Sequence, residues 1–249
     1  LDLETDTVSV EGPSPAAGVV SGLAAEEGES VGPGGLLGVN RTLNVPALQD
    51  GVRRGALDSI LFPKNAVTNA HQIIADVGAI FPPAQGQFVI GPMIKLGWGT
   101  GTPMITASIG IVIEFPRFTI SLLGLIEIGL PALAAPVIYL KLAVAGIFDP
   151  GRGELSIDAT LEGSYVTIFS ISGDMALRAR WKDDPLLALS VGGFHPRFDP
   201  PSGFPQLRRL SIALADSDNP RLRLEAYLAF TPAAVMFGAR LEAYASLDL

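Results

Sequence analysis

The chain has 249 residues, 48% of them hydrophobic and 17% charged, with a formal net charge of −8 and no cysteine. That length suits one large all-β domain or two smaller ones, and the missing cysteines exclude a disulfide scaffold and any Cys-ligated metal. A pI near 4.7, with no run of Lys or Arg, excludes the electrostatic footprint of a nucleic-acid binder. The mean hydropathy of +0.40 calls either for strands buried on both sides or for apolar surface that meets a lipid or a partner.

In chain order, the sequence opens on Leu1 with no visible signal peptide and stops inside an alternating run at Leu249. Both ends read as cuts from a longer chain. Residues 1–60 are rich in Gly, Pro, Ala and Glu and read as a linker or arm. Within them Gly28-Glu29-Ser30-Val31-Gly32 spells the G-x-S-x-G of serine hydrolases. The flanks lack the strand and helix that such a nucleophile turn needs. Asn40-Arg41-Thr42 is a glycosylation sequon by its letters.

Residues 61–85 read as a short helix and connector. Over 65–79, Val67, Ala70, Ile74 and Val77 fall on one stripe, with Asn65 placed to cap the start and Pro82-Pro83 to stop it. His71 then faces solvent or a polar contact.

From residue 86 to 249 the strand signal dominates, in segments rich in β-branched and apolar residues punctuated by Gly and Pro. Gly97-Trp98-Gly99-Thr100-Gly101 reads as a turn with Trp98 packed over it, since no βαβ unit surrounds it. The stretch 118–148 carries only Glu127 and Lys141 as charges but is broken by Pro131 and Pro136. It reads as two strands joined by a Pro-rich turn rather than as a membrane helix.

Between Glu154 and Trp181, odd positions from Leu155 to Trp181, including Tyr165, take one face and polar residues the other. An even loop without a bulge would flip that parity. The segment is thus one long strand bent at Gly163 and Gly173, or two strands joined by an odd loop or a bulge. A loop at Pro150-Gly151-Arg152-Gly153 sets Leu142 opposite Leu161, Val144 opposite Ala159 and Lys141 opposite Glu162. A loop at Thr231-Pro232-Ala233-Ala234 sets Leu228 opposite Phe237, Leu224 opposite Leu241, Glu225 opposite Arg240 and Arg223 opposite Glu242. Residues 216–220 form a third turn.

The expected fold is therefore all-β: an antiparallel meander of long strands in a curved or two-layer sheet, with one short N-terminal helix. Its apolar face needs a cover, from a second sheet, a helix, the curled sheet itself or lipid.

The segment Gly192-Gly193-Phe194-His195-Pro196-Arg197-Phe198-Asp199 gathers aromatic, imidazole, guanidinium and carboxylate groups. It reads as a rigid corner, with a functional loop as the alternative. His195, Arg197 and Asp199, with Trp98, are the candidate binding residues. No catalytic residue, cofactor motif or zinc spacing stands out, and Asp216/Asp218 lack the Gly and distal Glu of an EF-hand.

Several residues form a recognisable set: Gly91-Pro92, Gly97-Trp98-Gly99, Asp158-Ala159 with Leu161, Ser172-Gly173-Asp174-Met175-Ala176-Leu177-Arg178, the segment from Val191 to Phe198, Arg209-Leu210-Ser211-Ile212, Tyr227 with Ala229-Phe230-Thr231, and Phe237-Gly238-Ala239. Over about residues 86–249 this set resembles the uncharacterised family known as domain of unknown function 6603. The resemblance implies an internal piece of a long microbial β-rich protein and supplies no activity or site.

The sequence thus points to a non-catalytic structural or binding module. It would hold an apolar ligand, a lipid or the remainder of its own longer chain on an apolar sheet face. An outer-membrane-type barrel segment is the alternative. An enzyme using carboxylates, Asp199 with His195, is the third reading.

Overall fold

The computed structural model describes residues 19–21, 32–54, 61, 67–99, 103–216 and 221–245. Residues 28–31, Asn65, Thr100-Gly101 and the turn residues 217–220 lie outside this set.

Among the described residues twelve strands join one antiparallel sheet in nearly sequential order. They are β1 (Val19–Ser21), β2 (Gly32–Arg41), β3 (Pro83–Trp98), β4 (Ile105–Phe115), β5 (Thr119–Leu130), β6 (Ile138–Asp149), β7 (Glu154–Val166), β8 (Phe169–Arg180), β9 (Leu186–Val191), β10 (Leu210–Asp216), β11 (Arg221–Thr231) and β12 (Ala234–Tyr244). Helices α1 (Val45–Arg53) and α2 (Ala70–Ile80) are inserted between β2 and β3. The all-β class is as expected, in a single sheet.

The hairpin registers follow the sequence pairing. Leu142 faces Leu161 and Val144 faces Ala159, and the Lys141 ammonium lies 3.6 Å from the Glu162 carboxylate. At the far edge Leu228 faces Phe237, Leu224 faces Leu241, Glu225 faces Arg240 and Arg223 faces Glu242. Residues 118–148 form β5 and β6, with Pro131 and Pro136 in the turn between them.

Residues 154–181 are two strands. The turn at Thr167-Ile168 is even, and the parity is restored by a bulge. Leu161 pairs with Gly173 and Ser164 with Ile171, so Glu162 and Gly163 together oppose Ser172. Gly163 takes φ +55° there, a conformation that suits a residue without Cβ. One consequence corrects the simple alternation: Tyr165 pairs with Ser170 and Tyr139, not with the apolar set of Leu155 and Ile157.

The linker reading of residues 1–60 is also corrected over residues 32–53. Residues 32–41 pair with β3 along most of its length. Residues 45–53 form α1, whose Asn44 side chain accepts the Ala47 N–H, as an N-cap does. Glycine-rich composition hid a strand whose glycines allow close approach: a Cβ on Gly38 would meet the Arg41 Cβ at 3.0 Å and the Val89 Cβ at 3.4 Å. The second helix begins at Ala70 and buries Val77 and Ile80, leaving Val67 and Ile74 exposed. The inward stripe is thus Ile73, Val77 and Ile80, displaced from the expected one because the helix starts five residues later.

Both helices lie on one face of the sheet, called here the helix face. Leu48 and Val52 of α1, Val77 and Ile80 of α2, and Phe81 pack on Val89, Met93, Val112, Leu123, Leu125, Ala143 and Ala145. This is the core.

The opposite face is bare. On β4, β5 and β6 it consists wholly of Ile, Leu, Val, Phe, Ala and Gly, from Ile105 to Phe115, Ile120 to Leu130 and Ile138 to Phe148 in steps of two. Leu37, Ile90, Ile111, Leu122, Leu228 and Phe237 are exposed on it. The expected cover of the apolar face is not there among the described residues. The helices cover the face that carries the charges, because insertion between β2 and β3 brings α1 onto β6 and β7, where Gln49 donates to Asp158 at 2.8 Å.

Candidate functional site

Three features have the chemistry or exposure of a site: the segment between β9 and β10, a polar cleft on the helix face, and the bare face itself.

β9 and β10 share one slot between β8 and β11. β9 pairs with the 175–180 half of β8 and β10 with the 170–172 half. The 18 residues between them leave the sheet and fold back over the helix face. The exit is glycine-dependent. Gly192 and Gly193 have φ of +72° and +85°, and a Cβ on Gly192 would sit 2.5 Å from the Ala226 carbonyl oxygen.

Two arginines close this segment. Arg209 donates to the carbonyls of Gly192 (2.7 Å) and Phe194 (2.9 Å), and its guanidinium lies 4.3 Å over the Tyr227 ring. Arg208 binds the Asp174 carboxylate through its backbone N–H and its guanidinium, at 2.7–3.1 Å, and also reaches Thr160. Thr160 in turn donates to Asp174 at 2.6 Å. Burial by itself would raise the Asp174 carboxyl. The hydrogen bonds from Arg208 and Thr160 outweigh it and hold the group below the usual carboxylate range. Phe194 is buried, stacked on Phe198 (5.2 Å) and edge-on to Phe204 (4.8 Å). These contacts make a rigid clasp.

The candidate binding residues are only partly brought together. His195 is half-buried, 6.4 Å from the Tyr227 ring, and its Nδ1 accepts the Arg197 N–H at 3.1 Å. Arg197 and Asp199 are on the same segment, toward solvent. Trp98 ends β3, at the far side of the sheet from β8, and does not join them. Sequence reasoning missed Asp174, Arg208 and Arg209. The first two meet only because β8 and the segment before β10 are neighbours in space. The signal that was available is the double glycine followed by two adjacent arginines ahead of an apolar strand.

The cleft, about 570 Å³, opens between the start of α1 and the ends of β4–β8. Thr42, Asn44, Glu114, Arg117, Asp149, Arg152, Arg178 and Ser202 are among its walls. Several of its charges are held in ion pairs. Arg117 and Arg152 both hold Asp149, and Arg178 holds both oxygens of Asp158 at 2.9–3.0 Å. Burial would raise the Asp149 carboxyl, but the Arg152 N–H and the Arg117 guanidinium keep it low. Among the described residues no group of three or more His, Asp or Glu is placed to hold a metal ion.

The bare face is the largest of the three. Alternation and register send the charged strand residues of β3–β12 to the helix face, from Lys95, Glu114 and Glu127 through Lys141, Asp158, Asp174 and Arg178 to Arg223, Glu225, Arg240 and Glu242. Nine strand positions at about 4.8 Å spacing make the bare face roughly 40 Å wide, and eleven-residue strands make it roughly 35 Å tall. That exceeds the few hundred Å² of apolar patch usual on a monomer.

No curated protein and no solved structure matches the chain. Over residues 30–248, which include β2, both helices and the clasp, the sequence matches the family described as a family of unknown function, DUF6603. That span takes in the glycine-rich β2 as well as the strands from residue 86 onward, and the chain belongs to DUF6603.

Proposed function

We propose that this chain is a non-catalytic structural or binding module of a larger β-rich protein, holding an apolar ligand or partner on its bare sheet face. The observation that carries the reading is the segregation of charge: consecutive strands from β3 to β12 place their described charged side chains on one face and present hydrocarbon on the other. Water against such a face costs about 25 cal/mol for each Å² left uncovered, so any apolar cover gains affinity without polar contacts. The clasp and the ion pairs of the cleft stiffen the sheet from behind and leave the bare face open to its partner. Mass spectrometry of an organic extract of the purified protein tests the reading. A stoichiometric apolar molecule supports it, and an empty extract from folded protein that also binds no lipid or partner refutes it.

The second reading is a segment of an outer-membrane-type barrel. It is favoured by strands of 11 to 13 residues from β4 to β8 that alternate apolar outward and polar inward. Stable partition of the chain into bilayers, with resistance to carbonate extraction, separates it from the first.

A further inference from the structure

The sheet ends in one long open edge. Among the described residues β12 is the last strand of the sheet order and pairs with β11 alone. The opposite end of the order is β1, only three residues long. β12 pairs with β11 at every position from Ala234 to Tyr244 without a register shift, so no bulge turns it aside. Its eleven residues include no Pro and no Lys, and Arg240 and Glu242 are its only charges. Natural sheets blunt their edges with short strands, bulges, prolines or charges, because unpaired N–H and C=O groups recruit another strand. On β12 the apolar Val235, Phe237 and Leu241 are exposed by 63%, 79% and 63%, against 41% and 44% for Ile111 and Leu122 of the inner strands. Such an edge calls for a further strand beside it.

We propose that the edge is completed by β12 of a second copy of this chain, antiparallel about a twofold axis at Leu241. Leu241 then faces Leu241 of the second copy, Ala239 faces its Ala243, Gly238 faces its Tyr244, and Arg240 faces its Glu242. Charge selects this register. On the helix face the β11–β12 ladder sets Arg223 opposite Glu242 and Glu225 opposite Arg240. The twofold extends the first pair into a row of alternating sign: Arg223, Glu242, then Arg240 and Glu225 of the second copy. The symmetry mate of that row takes up the second pair. Sliding one strand by two residues keeps the faces but sets Arg240 against Arg240, or Glu242 against Glu242. Sliding it by one turns the bare faces of the two copies to opposite sides.

The other side chains agree with this register. Leu241 on Leu241 and Ala239 on Ala243 carry the hydrocarbon surface unbroken across the boundary. On the helix face a Cβ on Gly238 would lie 2.6 Å from the Tyr227 ring, so that ring covers the glycine. Tyr244, 56% exposed in the single chain, comes opposite Gly238 of the second copy and against its Tyr227 ring. Within one chain Glu242 lies 3.8 Å from Arg240 and 4.0 Å from Arg221. Those are exposed pairs, which hold a side chain only weakly, and Arg240 keeps a side chain 70% exposed with which to reach across the edge. The pairing uses the backbone of the edge and is independent of what occupies the bare face.

The chain has no cysteine, so a single introduced one reports the register. Leu241→Cys places the two thiols on directly opposed residues, whose Cα atoms lie about 4.5–5.5 Å apart, within disulfide reach. Phe237→Cys, on the same strand and the same face, places them roughly 26 Å apart. Oxidation is expected to link Leu241→Cys into a dimer and to leave Phe237→Cys unlinked. Sedimentation of the unaltered chain is expected to give twice the chain mass of 26.0 kDa. Arg240→Glu and Glu242→Arg each set like charges opposite one another in their own dimers and are expected to weaken self-association on the order of tenfold. An equimolar mixture of the two is expected to recover it, since every facing pair is then Glu with Arg, and that recovery also shows that both variants are folded. A monomer mass for the unaltered chain overturns the proposal. Equal linking of both cysteine variants overturns it too, because the copies would then be meeting through their bare faces. So does a monomer in which every β12 amide is protected from hydrogen exchange, because another segment of the same chain would then fill the edge.

Discussion

Replacing Asp174 by Ala removes the hub of the clasp. The residue is 5% exposed, and its carboxylate takes hydrogen bonds from Thr160 and from the backbone and guanidinium of Arg208. Breaking a buried pair by removing one partner costs about 3–5 kcal/mol, because the other charge is left uncompensated. Here Arg208 has a side chain 53% exposed, so its guanidinium can turn to water. The expected loss is therefore about 2–3 kcal/mol, largely the hydrogen bonds of a charged acceptor. For a chain of this size that lowers Tm by roughly 4–12 °C.

The sign of the pH dependence follows from the depressed folded pKa. Asp174 contributes stability that is fully present above its unfolded pKa, near 3.8, and is lost as pH falls through the folded value. In Asp174→Asn the stability profile between about pH 5 and 2 should accordingly be flatter than in the wild type. Urea denaturation followed by far-UV circular dichroism across that range measures both quantities. A loss below about 0.5 kcal/mol at neutral pH, or an unchanged slope in acid, refutes the account of the clasp.

Other outcomes follow from the same structure. Leu123→Ala, at a site that is fully buried beneath the helices, should cost about 2–5 kcal/mol, while Leu122→Ala, 44% exposed on the bare face, should cost under about 1 kcal/mol. Equal losses by denaturant titration would mean that the core lies on the wrong face. Gly192→Ala combines φ +72° with a 2.5 Å approach to a carbonyl oxygen and should cost about 2–3 kcal/mol; thermal melting at neutral pH checks it. Asp149→Asn should likewise lose acid sensitivity below about pH 4, because Arg117 and Arg152 favour its charged form. Arg209→Lys keeps the charge but cannot bridge the Gly192 and Phe194 carbonyls in one fork. Faster hydrogen exchange at residues 192–198 is the expected readout.

The strand register was legible in the sequence because period-two alternation, turn residues and facing charges restrict each hairpin to one pairing. Lys141 with Glu162 and Leu228 with Phe237 needed only local counting. The bulge at Glu162-Gly163 was not legible, since an even turn plus one extra residue leaves the same odd-residue pattern as a single long strand. Nor was α1, whose nine residues stand inside a stretch whose composition suggests a linker. The clasp lay beyond local reading because Asp174 and Arg208 are 34 residues apart and meet only when β9 and β10 divide one slot. Alternation by itself determined that one sheet face would be hydrocarbon and the other charged. Only the tertiary structure decided which of the two the helices would cover. It chose the charged face, because Leu48, Val52, Val77 and Ile80 find their apolar partners in Val89, Val112, Leu123 and Ala143 beneath it, and the ion pairs beside them are satisfied by one another.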